Sequence, residues 1–592
     1  MFLRCKTRRK DGKIHRYWSI VENRRVRGNR IVQRQVLYLG EINDSQQVAW
    51  MRTIEVFAAG RARAHQLALF PEGGAPPCAV GDGEVVEVRL CDLELRRPRQ
   101  WGGCWLACQL WEQLELDAFW APRLAPSRKG TRWLNVFKTL VIYRLLDPGS
   151  EWRLHRQWFD ESAMGDLLGE DYGLVQIDKL YRCLDKLLVH KEAFFKMLKQ
   201  RWHNLFAITF DVLLYDLTST YFESDPPAEG LRRFGYSRDK RPDCVQVVIA
   251  LVVTPEGLPL AYEVMPGNTA DTTTLEGFLK KIEAQYGKAN RTWVMDRGIP
   301  TEETLARMRN AEAAIHYLVG TPKGRLSRLE TAFLGLPWEQ VRESVQVKLL
   351  AHDGELYILA RSDGRMSKER AMRRRRLKKL WRRLGDLRGQ KLSRDQLLIK
   401  IGAAKKEAGR AYGLVDLRLP GKDQAVTPET FTYSLRKDRL RQTRRREGRY
   451  LLRTNLSGED PAVLWHHYMQ LIEIEQAFKE LKGELAIRPI HHQLDHRIEA
   501  HIFVAFVAYC LQVTLKQRLR ALAPGLTPRA VLEKLCAIKM VDVHLPTTDA
   551  RHIVLPRYTQ PDRDQQILLQ RLKLTLPPQP PPRITAHTAL SA

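Results

Sequence analysis

Residues 207–320 alternate between short apolar runs and amphipathic stretches, and this pattern restricts the fold more than any other feature. The segments FDVLLYDL, CVQVVIALVV and LAYEVM read as three strands, and the turn TPEGLP joins the last two. After them, two helical stretches alternate with TWVMD and AIHYLVG, which are typical of strands. Three hairpin-linked strands followed by strands that alternate with helices predict an α/β layer structure.

A second constraint is the segment YMQLIEIEQAFKELK, in which Tyr468, Glu475 and Lys482 stand seven positions apart. Seven residues are nearly two turns of an α-helix, so the spacing predicts that the three side chains share one helix face. An acid, a phenol and an amine in one row suit a site that holds a metal ion and binds phosphate. Two further acids, Asp216 and Asp296, lie at the ends of apolar runs that we predict to be strands.

These three blocks together resemble the DDE transposases of bacterial insertion sequences, in the subgroup with the signature Tyr-x2-Arg-x3-Glu-x6-Lys and a β-rich insertion domain. Tyr468, Glu475 and Lys482 match that signature, whereas Leu471 stands at the position of its arginine. The resemblance implies an α/β fold with an RNase H-like catalytic core that is interrupted by a β-containing insertion. An N-terminal basic β-unit and a helical DNA-binding domain are expected to precede the core.

The resemblance further implies that Asp216, Asp296 and Glu475 are the catalytic carboxylates and hold Mg²⁺ or Mn²⁺, with two ions per active site. Carboxylate oxygens are the ligands that Mg²⁺ prefers, and paired ions assist phosphoryl transfer by activating the attacking oxygen and stabilising the leaving one. The implied reaction is cleavage at the terminal inverted repeats of an element, followed by joining of its 3′-hydroxyl ends to target DNA. A homodimer acting on double-stranded DNA is implied as well. The alternative is an inactive or host-retained DNA-binding protein derived from such an enzyme, and Leu471 keeps it open.

Each predicted metal ligand has a competing structural interpretation. An Asp after an apolar strand is more often a turn or helix-cap residue than a ligand. Asp211 competes with Asp216 on the same predicted strand, and their odd separation places them on opposite faces. Glu473 and Glu480 compete with Glu475 as ordinary solvated helix acids. The spacing of Tyr468, Glu475 and Lys482 favours Glu475 over its neighbouring acids. The segment TSTYFE, shortly after Asp216, favours Asp216 over Asp211.

Charge and composition indicate the partner and the compartment. There are 97 Lys and Arg against 68 Asp and Glu, so the net charge of +29 points to a polyanion, most simply nucleic acid. Nine scattered Cys favour a reducing compartment. No apolar signal segment follows Met1, and the apolar run at 502–511 is about half the length of a membrane span. We therefore expect a cytoplasmic, nucleoid-associated bacterial protein without a membrane partner.

Several cations are candidates for contacts with DNA phosphates. By the resemblance, Tyr468 and Lys482 bind phosphate near the scissile bond, and Arg297 directly follows a predicted metal ligand. The strongly basic stretch at 368–383 predicts a non-specific phosphate-binding helix, because such concentrated like charge calls for a counter-charge. Its candidate residues are Arg373, Arg374, Arg375, Arg376, Lys378 and Lys379. A solvated helix face is the alternative for this stretch.

The domain boundaries follow from shifts in composition and periodicity. The predicted segments, in chain order, are a basic β-rich unit at 1–70, a linker at 71–86, a helical DNA-binding domain at 87–205, the first part of the core at 206–320, an insertion domain with a basic helix at 321–460, the closing helices of the core at 461–545, and a partly disordered tail at 546–592.

Overall fold

The computed structural model is a mixed α/β protein with a large mixed sheet and three smaller sheets. It describes residues 2–10, 13–26, 30–43, 46–47, 50–51, 87–286, 291–310, 315–321, 329, 331–422, 424–548 and 551–586. The predicted linker at 71–86 lies outside these residues.

An antiparallel sheet of three strands forms the N-terminal unit. Its strands are β1 (Phe2–Lys10), β2 (Lys13–Val26) and β3 (Arg30–Gly40). The indole Nε1 of Trp50 donates a hydrogen bond to the carbonyl oxygen of Pro524 at 2.7 Å, which ties this unit to the C-terminal part of the chain.

Helices dominate residues 102–206, as the periodicity predicts. They are α1 (Gly102–Gln113), α2 (Trp133–Leu146), α3 (Ile177–Leu184) and α4 (Lys191–Phe206). Shorter helical segments run over Leu90–Asp92, Leu116–Trp120, Glu151–Arg153, Leu154–Trp158, Phe159–Glu161, Met164–Leu168, Tyr172–Val175 and Leu188–His190. Trp133 and Trp158 are buried in the core, whereas Trp152 is 54% exposed.

A nine-stranded mixed sheet is the centre of the fold. Its first five strands are β5 (Val212–Phe222), β6 (Val245–Val253), β7 (Pro259–Pro266), β8 (Thr292–Met295) and β9 (His316–Thr321). They lie in the order β7-β6-β5-β8-β9, with antiparallel pairing up to β5 and parallel pairing from β5 through β9. Every residue of β6 is buried, as expected for a continuous apolar strand covered on both faces. Helices α5 (Asp271–Tyr286) and α6 (Glu302–Arg309) connect the parallel strands.

The segment between β9 and residue 460, which was predicted to be a β-containing insertion, extends this sheet. Strands β10 (Glu339–Arg342), β11 (Val345–His352) and β12 (Glu355–Ser362) continue the sheet through β15 (Arg449–Thr454), which pairs with β9. The rest of the segment comprises α7 (Asp363–Arg388), α8 (Arg394–Ala408), the turn Gly409–Leu414, β13 (Val415–Arg418), β14 (Thr432–Leu435) and α9 (Lys437–Arg446). This part has its own small core, in which Leu380 and Leu384 of α7 pack against Leu397 of α8.

The helices that close the sheet follow β15. They are α10 (Pro461–Met469), α11 (Leu471–Lys479), a π-helical turn (Glu480–Glu484) and α12 (Asp495–Leu522). By length and composition α12 could cross a membrane, yet 94% of its most apolar window is buried inside the protein. It packs against α2 and is apolar on all sides, as a core helix is.

The C-terminal residues form a second α/β unit. Its elements are α13 (Pro528–Leu535), β16 (Lys539–Pro546), β17 (Arg551–Tyr558), α14 (Arg563–Arg571) and β18 (Arg583–Ala586). The sheet order is β18-β17-β16-β4, where β4 (Glu94–Gln100) comes from the start of the helical segment. The structure therefore corrects the expected disordered tail as far as Ala586: the prolines lie between paired elements, and β18 pairs with β17.

Candidate active site

The sheet places Asp216 and Asp296 side by side. Strands β5 and β8 are parallel neighbours in which Tyr215 pairs with Met295, and each acid is the next residue along its chain. Adjacent strands lie about 4.8 Å apart, so the two residues are close neighbours, although Asp216 lies within β5 and not at its end as predicted. The Asp216 Oδ1 accepts a hydrogen bond from the Leu217 amide at 2.8 Å, and the Asp296 Oδ1 accepts one from its own following amide at 2.7 Å.

Helix α11 brings Glu475 to the same place. Ile474, Ala477 and Phe478 are buried beneath the helix, which leaves Glu475 exposed on its other side. Asp216, Asp296 and Glu475 all line one cavity of about 560 Å³. The predicted carboxylate trio is therefore assembled from residues that are far apart in sequence.

The three acids interact electrostatically. The pKa of Asp216 is raised to about 7, mainly by burial and in addition by the carboxylates of Asp296 and Glu475, while the Leu217 amide and Arg238 act in the opposite direction. A carboxyl group that loses its proton this reluctantly is a good ligand for a hard cation, because the cation offsets both the burial and the repulsion.

Tyr468 lies at the end of α10 and also lines the cavity. Burial, followed by the charge of Asp296, raises the pKa of its phenol to about 12, so Tyr468 is a neutral hydrogen-bond donor. Its ring stacks on Tyr450 of β15 at a centroid distance of 6.1 Å. Gly320 of β9 makes room for the phenol, because a Cβ there would lie 2.7 Å from the Tyr468 hydroxyl oxygen.

Lys482 does not continue the row of Tyr468 and Glu475. The helix is interrupted at Gln470, and Lys482 lies in the π-helical turn, whose wider i→i+5 geometry changes the direction of its side chains. Its Nζ donates a hydrogen bond to the Asp239 Oδ1 at 2.8 Å, and the two side chains are 12% and 5% exposed. Lys482 is thus held by a buried acid, and its predicted phosphate contact stays a prediction.

The basic helix α7 divides into held and exposed cations. Arg373 is nearly buried and pairs with the buried Glu447 of the α9–β15 turn, so the structure does not support a DNA contact for it. Lys379 pairs with Glu407 at 3.2 Å and remains exposed. The other predicted contacts of this helix are also exposed, and they are Arg374, Arg375, Arg376 and Lys378. The helix residues that line the acid cavity belong to its first two turns and were not predicted.

Four cations of the cavity were missed by sequence reasoning. Arg365, Lys368, Arg410 and Arg449 line it together with the predicted Arg297. Only Lys368 had a signal in the sequence, as the first cation of the basic stretch. The other three carry no local pattern that distinguishes them from the many remaining arginines.

A second group of metal-ligating residues, Glu151, His492 and His501, lies buried elsewhere, with ligand atoms within 4.8 Å of one another. The His492 Nε2 is 3.2 Å from the Glu151 Oε1, and the buried Arg144 Nη2 lies 3.4 Å from the His501 Nδ1. A guanidinium this close disfavours a metal cation, and we interpret the group as a buried ion network that joins α2 to α12.

A mixed α/β sheet that gathers three carboxylates in a cavity lined by cations is the arrangement of a metal-dependent enzyme that acts on a polyanion. The chain belongs to the DDE transposases, since residues 210–511 match the family described as the transposase DDE domain. Residues 3–59 match the N-terminal domain of the IS1634 family of transposases. The predicted membership in the DDE-type DNA transposases of insertion sequences is thereby confirmed.

Comparison with other proteins adds little to this assignment. No curated protein matches the sequence. Among solved structures, the chain is similar to a piggyBac transposase synaptic complex with hairpin DNA, determined by cryo-electron microscopy, at 8% identity and a TM-score of 0.34. The similarity covers 77% of this chain and 82% of that chain, and at this TM-score it supports no argument about fold or function.

Proposed function

We propose that this transposase cleaves DNA at the terminal inverted repeats of its insertion sequence and joins the freed 3′-hydroxyl ends to target DNA. The observation behind the proposal is that Asp216, Asp296 and Glu475 line one cavity together with five cations. In-line phosphoryl transfer needs such a combination, because the reacting phosphate is negative and its transition state gathers charge.

The strand order supports an RNase H-like catalytic core. Three antiparallel strands, β5 to β7, are followed by two strands, β8 and β9, that pair parallel on the other side of β5. In this proposal the core comprises 206–320 and 461–545, and the segment 321–460 is its insertion. The N-terminal sheet and the helices up to residue 205 are proposed to contact the DNA ends.

The carboxylate trio fits Mg²⁺ or Mn²⁺, and we propose two ions. The donors are all oxygens, and the raised pKa of Asp216 reflects a repulsion that divalent cations relieve. When bound, such ions activate the attacking oxygen and stabilise the leaving one. Asp216 must lose its proton before it can serve as a ligand.

Other side chains would hold the DNA strand in place. Tyr468 donates from its phenol and Arg297 offers a charge next to Asp296, so both suit contacts to phosphate oxygens. Such contacts fix the position of the backbone and do not read base sequence. We further propose a homodimer that holds two DNA ends, in the bacterial cytoplasm at the nucleoid.

Cleavage of a DNA that contains the flanking repeats of the gene, in Mg²⁺ or Mn²⁺, tests the function. Asp296→Ala is expected to abolish cleavage and to retain DNA binding, whereas Asp211→Asn, a change in the exposed acid just before β5, leaves cleavage intact. Binding without cleavage by the wild-type protein would instead support an inactive DNA-binding descendant, the alternative that Leu471 in place of the signature arginine keeps open.

A further inference from the structure

The insertion contributes several cations to the lining of the active-site cavity. Arg365 and Lys368 belong to the first two turns of α7, Arg410 follows α8, and Arg449 begins β15. We call Arg365, Lys368 and Arg410 the cationic wall. All three side chains are exposed and line the cavity that contains Asp216, Asp296 and Glu475.

The cationic wall is only partly neutralised by the protein. Among the residues that the structure describes, neither Lys368 nor Arg410 forms an ion pair, and Arg365 pairs with Glu369 of the next turn at 3.3 Å. Like charges that share a cavity repel one another and do not stabilise the fold. They are therefore better explained by a polyanion that enters the cavity from outside.

Arg365 is positioned by aromatic contacts of the active site itself. Its guanidinium lies 4.8 Å from the centre of the Tyr450 ring, which stacks in turn on Tyr468. Glu369 accepts a hydrogen bond from the Gly448 amide at 2.9 Å, which fixes the carboxylate that orients this arginine. The first turn of α7 is thus linked to Tyr468 of α10 through the stacked rings of Tyr450 and Tyr468.

Helix α11 offers no charge to the cavity at position 471, because Leu471 stands there. Leu471, Ile472 and Ile474 line the cavity between Tyr468 and Glu475. A backbone phosphate next to the reacting one would meet apolar side chains there, so its charge must be balanced by cations from other elements, namely Arg297 after β8 and those of the insertion. The charge distribution therefore favours a strand that contacts both the carboxylates and the insertion.

We propose that the cationic wall binds the phosphates that flank the reacting phosphate, so that the insertion supplies the charge that position 471 lacks. The ligand is the sugar–phosphate backbone of the DNA strand that lies in the active site. The inference rests on the proposed function. It assigns phosphate binding in the active site to the cationic wall and not to the cations in the middle of α7.

The first test is binding without metal, which separates binding from cleavage. Equilibrium binding of an end-sequence DNA is measured in EDTA over a range of salt concentrations, for wild type and for the double variant Lys368→Gln/Arg410→Gln. Each lost phosphate contact lowers the salt slope by about 0.9, so the double variant should lose roughly 2 from the slope and bind roughly 10- to 50-fold more weakly at physiological salt. Both side chains are exposed, and a thermal melt equal to that of wild type checks the fold.

Lys391→Gln is the matched control, because Lys391 is an exposed cation just beyond the opposite end of α7, and the helix rises about 30 Å between Lys368 and its last residue. It should leave the slope unchanged. A double variant with the wild-type slope, or a control with an equal loss, overturns the proposal.

The second test is a transfer of charge. Arg365→Gln should slow metal-dependent cleavage at least 10-fold, and Leu471→Arg added to it should restore a large part of the rate by placing a guanidinium in the same cavity. No effect of the first change, or no recovery with the second, contradicts the assignment. If wild type fails to cleave while the binding slopes behave as expected, the proposed reaction fails and the phosphate site stands.

Discussion

Asp216→Asn is expected to make the metal-free protein more stable at alkaline pH, although it removes a predicted metal ligand. Burial and then the charges of Asp296 and Glu475 raise the pKa of Asp216 to about 7, whereas an unperturbed Asp has a pKa near 3.9. The difference is about three pH units, and each unit corresponds to about 1.4 kcal/mol. Ionised Asp216 therefore costs the folded protein up to ~4 kcal/mol when no cation is present.

The sign of the pH dependence follows from where the proton binds more tightly. Folded Asp216 holds its proton up to about pH 7, whereas the unfolded chain releases it near pH 4. This residue's contribution to stability therefore falls as pH rises from about 4 to about 7 and is constant above that range. Asparagine has no such cost, so the variant should gain ~1–4 kcal/mol at pH 8, and most of this gain should disappear by pH 4.

Thermal melts in EDTA at pH 8 and pH 4.5 measure the effect. A gain of ~1–4 kcal/mol corresponds to ~2–8 °C for a cooperative unit of about 250 residues. Added Mn²⁺ should raise the melting temperature of wild type more than that of Asp216→Asn, because only the former keeps all three carboxylates. Asp211→Asn is the control, since this exposed acid directly precedes β5, the strand that contains Asp216. The reasoning is refuted if the Asp216 variant is less stable than wild type at pH 8 in EDTA, or if the control gains as much.

Of three further predictions, two concern neighbours of the site and one concerns the separate buried group of Glu151, His492 and His501. Asp239→Ala should lower the free energy of unfolding by ~3–5 kcal/mol, because it leaves the nearly buried Lys482 without its partner, and hydrogen exchange of the π-helical turn should report the loss. Gly320→Ala should slow cleavage by about 10-fold and leave the salt slope of DNA binding in EDTA unchanged, because the new methyl group displaces the Tyr468 hydroxyl, which is neutral. Burial lowers the pKa of His501 to about 4, so the unfolded chain takes up a proton at this residue near pH 6.5 and the folded protein only near pH 4. Stability should therefore fall as pH falls from about 6.5 to about 4. His501→Asn should make the melting temperature depend less on pH over that interval.

The local elements near the site could be predicted because their signals are local. Apolar runs between 207 and 320 correspond to β5 through β9, and the seven-residue spacing correctly placed Tyr468 and Glu475 toward one cavity. Lys482 departs from its prediction because the spacing rule assumes one regular helix. The π-helical turn changes the angular position of Lys482, whereas Glu475 lies before this turn.

Local sequence signals could not predict which distant strands pair with one another. Strand β4 joins a sheet with β16 to β18, more than 400 residues later, and β15 joins the insertion to β9. Nothing in the alternation of a strand specifies its partner, because the partner is chosen by the apolar surface that both must cover. The predicted disorder of the C-terminal tail failed for this reason as far as Ala586.

The sequence by itself was enough to assign the family, and it indicated three candidate acids and a polyanionic partner, because motif spacing and net charge are properties of the chain. Tertiary structure decided how these charges act. It set Asp216 beside Asp296 through parallel strands, raised the pKa of the former, and tied Lys482 to a buried acid. It also brought the cationic wall into the cavity of the carboxylates. Electrostatic interaction depends on distance through space and on burial, and neither can be read along the chain.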